Sequence, residues 1–205
     1  MTQSLKAMKK TILKGRKNVE KRLIDSAAEL LSSLGPNQLS IRDIALHAGV
    51  NHAQIHHYFG GKQGLLEATY KQLAFTHMQQ LERRNINVMD LGDEPLSDVT
   101  DNYFNALIRA VLDGKMDLLM AQSDSGLSMS KKTLNELTKL RGASKPSAEE
   151  KAAVALVMVM EFGWAASKSY IKQSLKVSDK EMKVFMKLFI EGRNLGLNQL
   201  KKNNA

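Results

Sequence analysis

Residues 40–59 constrain this chain more than any other stretch, because two short helical patterns meet there at a single glycine. Ser40 precedes Ile41, Ile44, Ala45 and Ala48, and Asp43 stands three residues after the serine. That is the spacing of a capping box, in which each side chain satisfies a backbone N–H of the other residue. Gly49 stops this helix, and Asn51 can cap the next one with Gln54 in the reciprocal capping position. Ala53, Ile55 and Phe59 then offer small or apolar surface to a core. Two helices this short around Ala48-Gly49-Val50 predict a helix-turn-helix, since the tight turn needs a residue without a β-carbon. Helical hairpins of other purpose share the pattern, so function needs a further signal.

The flanking sequence supplies the rest of an all-α fold. Leu23, Ala27, Leu30, Leu31 and Leu34 recur at helical spacing from Val19, and Gly35-Pro36 closes that helix. Gly60-Gly61 releases another helix at Lys62, and further helices are expected at about 62–85, 95–113, 115–121, 127–141, 147–174 and 178–201. Only three prolines interrupt 205 residues, and no strand-like alternation competes. The expected organisation is a basic, flexible N-terminal arm over 1–18, a three-helix helix-turn-helix domain over 19–66, and a helical effector-binding and dimerisation domain over 67–205.

Charge points to one end. Residues 1–22 hold eight Lys or Arg (Lys6, Lys9, Lys10, Lys14, Arg16, Lys17, Lys21 and Arg22) against the single acid Glu20, in a chain of net charge +9. Clustered cations beside a folded motif are the footprint of a polyanion partner, although a solvated tail has the same composition. The absence of cysteine excludes disulfides, thiolate metal sites and thiol redox sensing, and suits a reducing cytoplasm. The basic start lacks the apolar segment of a secretory signal. The longest apolar run, Ala152 to Met160, is shorter than the roughly 18 residues of a membrane span and reads as a buried helix. A cytoplasmic protein with no membrane association is expected.

In a helix-turn-helix the second helix of the motif enters the major groove. Asn51, His52 and Gln54 stand at its start; Asn and Gln match adenine with a paired donor and acceptor, and Arg42 can grip guanine O6 and N7. His56, His57 and Tyr58 at its far end suit phosphate or groove-wall contacts. Lys62 opposes the macrodipole at the start of its helix, a conflict that a phosphate bound by the same helix N-terminus would remove.

Ser40-Ile-Arg-Asp-Ile-Ala45, Ala48-Gly-Val50, His57-Tyr-Phe59, Lys62 and Leu65-Leu66 together resemble the DNA-binding domain of the tetracycline-repressor (TetR) family, over about residues 19–70. The resemblance implies a homodimer that binds two operator half-sites on double-stranded DNA, lets go when a small molecule enters the C-terminal domain, and catalyses nothing. It places Arg42, His52 and Gln54 at base-contacting positions, and Ser40, His56, Tyr58 and Lys62 at phosphate-contacting ones. The chain departs from the family pattern at His56, where tyrosine is usual, and at Gly60-Gly61 and Gln63, which replace the commoner Pro or Ser, and Glu.

Two other readings share these residues. His52 and His56 form an H-x-x-x-H pair that can ligate zinc, but Ala53 stands where a zinc protease carries its general base. A non-specific architectural DNA binder would use the basic tail and differ in showing little sequence preference. No cofactor and no enzyme activity are expected. In the C-terminal half, Tyr103, Phe104, Met116, Met120, Met160 and Trp164 could line an adaptable pocket for an apolar or amphipathic effector. The last two helices are expected to form a four-helix dimer interface, the final one carrying Met182, Phe185, Met186, Phe189 and Leu195 with Gly192 and Gly196 set for close helix approach.

Overall fold

A computed structural model describes residues 3–86, 90–92, 94–99 and 101–204, without the side chains of 3–14, 97, 99, 101, 201, 203 and 204. Among these residues the secondary structure is helical, with no strand. The N-terminal part holds α1 (Gln3–Leu34), α2 (Ile41–Ala48), α3 (Ala53–Phe59) and the start of α4 (Lys62–Arg83). The body holds the rest of α4, then α5 (Leu96–Val99), α6 (Asp101–Leu112), α7 (Met116–Asp124), α8 (Met129–Leu140), α9 (Ala148–Ser174) and α10 (Asp179–Asn204). Helix α1 begins at Gln3 rather than near Val19, so the segment expected as a flexible arm continues the first helix; the basic side chains before Gly15 lie outside the described residues. The segment expected at 95–113 forms two helices, α5 and α6.

The helix ends follow local chemistry. Ser40 and Asp43 form the expected capping box, with Gly49 left-handed at φ 61° as the C-cap of α2. Ser147 and Glu150 form a second capping box at the start of α9. The α3 start differs: His52 occupies the N-cap and makes no side-chain capping bond, while Asn51 Oδ1 accepts from the Ala53 amide at 2.9 Å. Asn51 therefore bends its own backbone into an Asx-type turn, and the Asn51–Gln54 capping box does not form.

One apolar stripe joins the two parts. Leu23, Ala27 and Leu31 of α1 are fully buried together with Ile44, Ile55 and Leu65, closing the small core of the helix-turn-helix. Helix α1 also packs on α6, where Arg109 Nε donates to the Ser32 carbonyl at 2.9 Å. Helix α4 runs from the turn after α3 into the body, and there the Tyr70 hydroxyl donates to the Ala106 carbonyl of α6 at 3.0 Å.

The body closes around a buried ion pair. Arg193 of α10 is 1% exposed and donates to Glu161 Oε1 of α9 at 2.9 Å, to the carbonyls of Leu91 (3.1 Å), Gly92 (2.7 Å) and Glu94 (2.7 Å), and to Asn194 Oδ1 at 3.0 Å. Helix α9 is only partly enclosed, against the expectation for its apolar run: Leu156 and Val159 are 60% and 67% exposed. One 18-residue window of α9 has the length and mean hydropathy, 1.2, of a membrane span, but its inner face carries Glu161 in this ion pair. Gly192 and Gly196 meet Met160 and Ala153 of α9 in the same chain, so their close approach is internal.

Removing one member of a buried ion pair leaves an uncompensated charge in a dry site, which costs more than the pair contributes. Arg193→Met is expected to lower unfolding stability by about 3–5 kcal/mol, read from the midpoint and slope of a urea melt. A loss below about 1 kcal/mol would show that Glu161 and the freed carbonyls find other partners.

Candidate nucleic-acid interface and cavity

The outer edge of the helix-turn-helix is built from side chains that the core does not need. Ser40, Arg42, Asn51, His52, His56 and His57 are exposed, while Gln54 and Tyr58 are half-buried. Ile55 points inward with no exposure, so α3 turns its polar flank to solvent. The turn between α2 and α3 is held from α1, where Arg22 Nη2 donates to the carbonyls of Ala48 and of Gly49, the latter at 3.0 Å. A β-carbon at residue 49 would stand 2.8 Å from that same nitrogen, so glycine here serves both the left-handed backbone and the clamp.

The orientation of α3 against α4 depends on Gly64. A β-carbon there would lie 2.0 Å from the Phe59 carbonyl oxygen, so the two helices can meet at this angle only around a glycine. Tyr58 is covered from α1 by the Arg16 guanidinium, 5.3 Å above its ring, and touches His57 edge-on at 4.8 Å. Lys62 does not reach outward. Its ammonium donates to the Pro36 carbonyl at 2.8 Å, and burial, then the neighbouring Lys115, push its pKa down against the pull of Asp113. This contact eases the macrodipole conflict seen in the sequence and leaves the α4 N-terminal amides beneath Gly61 without a side-chain cap. Among the described residues no three His, Cys, Asp or Glu side chains gather as a metal site.

Beneath this motif α6 and α7 meet at an elbow. Asp113 Oδ2 accepts from the Asn37 amide at 2.8 Å, and Asp117 Oδ2 accepts from Gln63 Nε2 at 2.8 Å. The elbow thus touches both the loop before α2 and the first turn of α4.

On its other side the same elbow walls a cavity of about 340 Å³. Of the six sequence candidates, Tyr103, Phe104, Met116 and Met120 line it. The other two face α10: Trp164 stacks on Phe185 at 5.2 Å, and the Met160 methyl would lie 3.5 Å from a β-carbon placed at Gly192. Sequence reading missed His77, Gln122 and Arg193, which carry no motif and become notable only through burial. Glu161 lies in the cavity wall and on Arg193 together.

His77 stacks on Tyr103 at 4.8 Å and meets Phe104 edge-on at 5.3 Å. Burial pushes its pKa down to about 4, so the imidazole is neutral at physiological pH. Burial also pushes the Tyr103 phenol up to about 12, against a side-chain hydrogen bond with Gln122.

The comparisons with known proteins agree with this geometry. Residues 23–69 match the model of bacterial regulatory proteins of the tetR family. The HTH-type transcriptional regulator BetI of Yersinia pestis (strain Pestoides F) is 30% identical over 95 residues, covering 46% of this chain and 42% of that protein. The chain thus spans less than half the length of the curated relatives it matches. In fold it is similar to a crystallised HlyIIR mutant protein, with TM-score 0.58 and 15% identity over 86% of this chain and 97% of the other. A protein from Rhodococcus sp. described as a TetR-family transcriptional regulator gives TM-score 0.56 and 14% identity over 92% of this chain and 100% of the other.

The low pKa of His77 has a sign that can be measured. The unfolded imidazole takes a proton below about 6.5 and the folded one only near 4, so stability is lost as pH falls through that interval. The chain is expected to lose about 2 kcal/mol between pH 7 and pH 5 in urea melts, and His77→Phe should flatten that slope; an unchanged slope in the variant would assign it to other groups. Residues 23–69, with the capped helix-turn-helix they form, are thus similar to the DNA-binding segment of bacterial regulatory proteins of the tetR family, and the chain shares an all-helical fold with the two solved structures.

Proposed function

We propose that the chain is a sequence-specific DNA-binding transcriptional regulator, working as a repressor that a small-molecule effector releases from its operator. The observation that carries this is the exposed polar flank of α3 with Arg42 beside it, on a turn clamped by Arg22. Arg42, Asn51, His52 and Gln54 read base edges, while Ser40, His56, His57, Tyr58 and the uncapped α4 amides beside Lys62 hold phosphates. The chain has no catalytic role in this reading.

The functional unit is a homodimer. On α9, Leu156, Val159 and Tyr170 form an exposed apolar stripe at helical spacing, and on α10 Val184, Leu188 and Leu195 form a second. Paired with a second copy, the stripes make a four-helix interface, and a two-fold axis sets the two α3 helices about one DNA turn apart, near 34–36 Å.

The cavity supports the switch. Leu107 and Val111 of α6 and Leu119 and Met120 of α7 line it, and the elbow between those helices holds the start of α4 and the loop before α2. A ligand that prefers a displaced elbow changes the spacing of the reading heads. Tenfold weaker DNA binding requires about 1.4 kcal/mol of such preference.

Fluorescence anisotropy on the duplex upstream of this chain's own gene, against a scrambled duplex, tests the reading. Specific binding should exceed scrambled binding by roughly 10³, and Arg42→Ala should remove about 1–3 kcal/mol of the discrimination. Equal and steeply salt-dependent binding to both duplexes would favour the architectural reading instead. In sedimentation, Val159→Glu with Leu188→Glu should convert a dimer to monomers and abolish operator binding; a monomeric parent at micromolar concentration would overturn the dimer.

A further inference from the structure

Resting on the effector-cavity reading, we infer that the cavity takes an uncharged, largely apolar molecule bearing one hydrogen-bond donor, a hydroxyl or an N–H, which it presents to the Gln122 side-chain carbonyl. Gln122 is 7% exposed, lines the cavity from the last turn of α7, and among buried side-chain oxygens and nitrogens of the described residues its Oε1 is the one without a hydrogen-bond partner. A desolvated, unpaired carbonyl is costly, and a donor brought by a ligand recovers that cost.

Several of the other polar groups around the cavity are engaged. Thr133 donates to the Met129 carbonyl at 3.0 Å, Ser128 caps α8 through the Lys131 amide, and the Lys131 ammonium lies 3.5 Å from Asp124. His77 is neutral and stacked on Tyr103. Glu161 is the one carboxylate in the wall, and it holds Arg193 at 2.9 Å. An anionic ligand would be stripped of water beside that carboxylate, and a cationic one would have to displace Arg193, which makes four further bonds. Apart from Ser123, Ser130 and the Tyr103 phenol, the remaining wall is hydrocarbon, thioether and ring, including Phe104, Leu107, Leu119, Val157 and Phe162. Such a surface rewards an alkyl or ring body of modest size, since 340 Å³ is at the small end for ligand sites.

Isothermal titration of the full chain with 1-octanol, its isomer heptyl methyl ether, octanoate and octylammonium separates the possibilities. The alcohol should bind roughly tenfold tighter than the ether, which accepts but cannot donate, and both ions should bind more weakly than either. Gln122→Leu should bring the alcohol to within about twofold of the ether. It keeps the site filled and removes an unpaired polar atom, so a circular-dichroism melt should show it folded. Equal parent affinities for alcohol and ether, tighter binding of either ion, or no binding of the alcohol would overturn the ligand class. Met120→Trp at the rim tests the underlying reading separately: it should block all binding. Probe binding that survives Met120→Trp would overturn the assignment of this cavity as the effector site, whatever the order of affinities.

Discussion

A guanidinium shut away from water must place all five of its N–H donors on acceptors, and Arg193 does so by drawing three stretches of chain together. Its partners are the α9 carboxylate of Glu161, the carbonyls of Leu91, Gly92 and Glu94 in the segment before α5, and Asn194 on its own helix. Gly92 adopts φ 69° there, a conformation that leaves its carbonyl free to turn toward the guanidinium. The seat of α10 on α9 and the wall of the cavity nearest Glu161 both follow from this one residue. Hydrophobic contacts alone would let the two long helices slide, since Leu, Val and Met surfaces fit one another in several registers. A buried ion pair with directional bonds admits far fewer.

The cavity and the helix-turn-helix are connected by elements that belong to both. Helix α4 begins at the turn after α3 and carries His77 into the cavity wall, with Tyr70 bonded to α6 between them. Helices α6 and α7 line the cavity with apolar side chains and hold the motif with Asp113 and Asp117 at their junction. Around these polar contacts α1 packs on α6 and α4 on α7, and the buried side chains of all four helices belong to one continuous core.

The basic N-terminal composition divides on closer inspection. Arg22, counted in the sequence with the phosphate-seeking cations, spends its charge on two carbonyls of the turn and is a structural residue of the motif. Arg16 lies over Tyr58 and pairs with Glu20 at 2.7 Å. Lys62 turns back to Pro36. Composition cannot separate a cation that waits for DNA from one that holds the fold, because both carry the same charge and differ only in what stands next to them.

What the sequence determined by itself was local. The capping boxes, the left-handed glycines and the 3.6-residue period of apolar side chains act within one or two turns, so the helices, the turn at Gly49 and the exposed flank of α3 were legible from residue order. The apolar period picks up the first helix only from Val19, whereas it begins at Gln3, because helix formation follows backbone hydrogen bonding and propensity and does not require an apolar stripe. Tertiary structure alone decided which apolar residues became cavity and which became interior, sending Tyr103, Phe104, Met116 and Met120 one way and Met160 and Trp164 the other. It also left Gln122 with an unpaired carbonyl and met Glu161 with Arg193 across 32 residues. Burial and pairing depend on neighbours distant in the chain, and no local pattern of side chains encodes them.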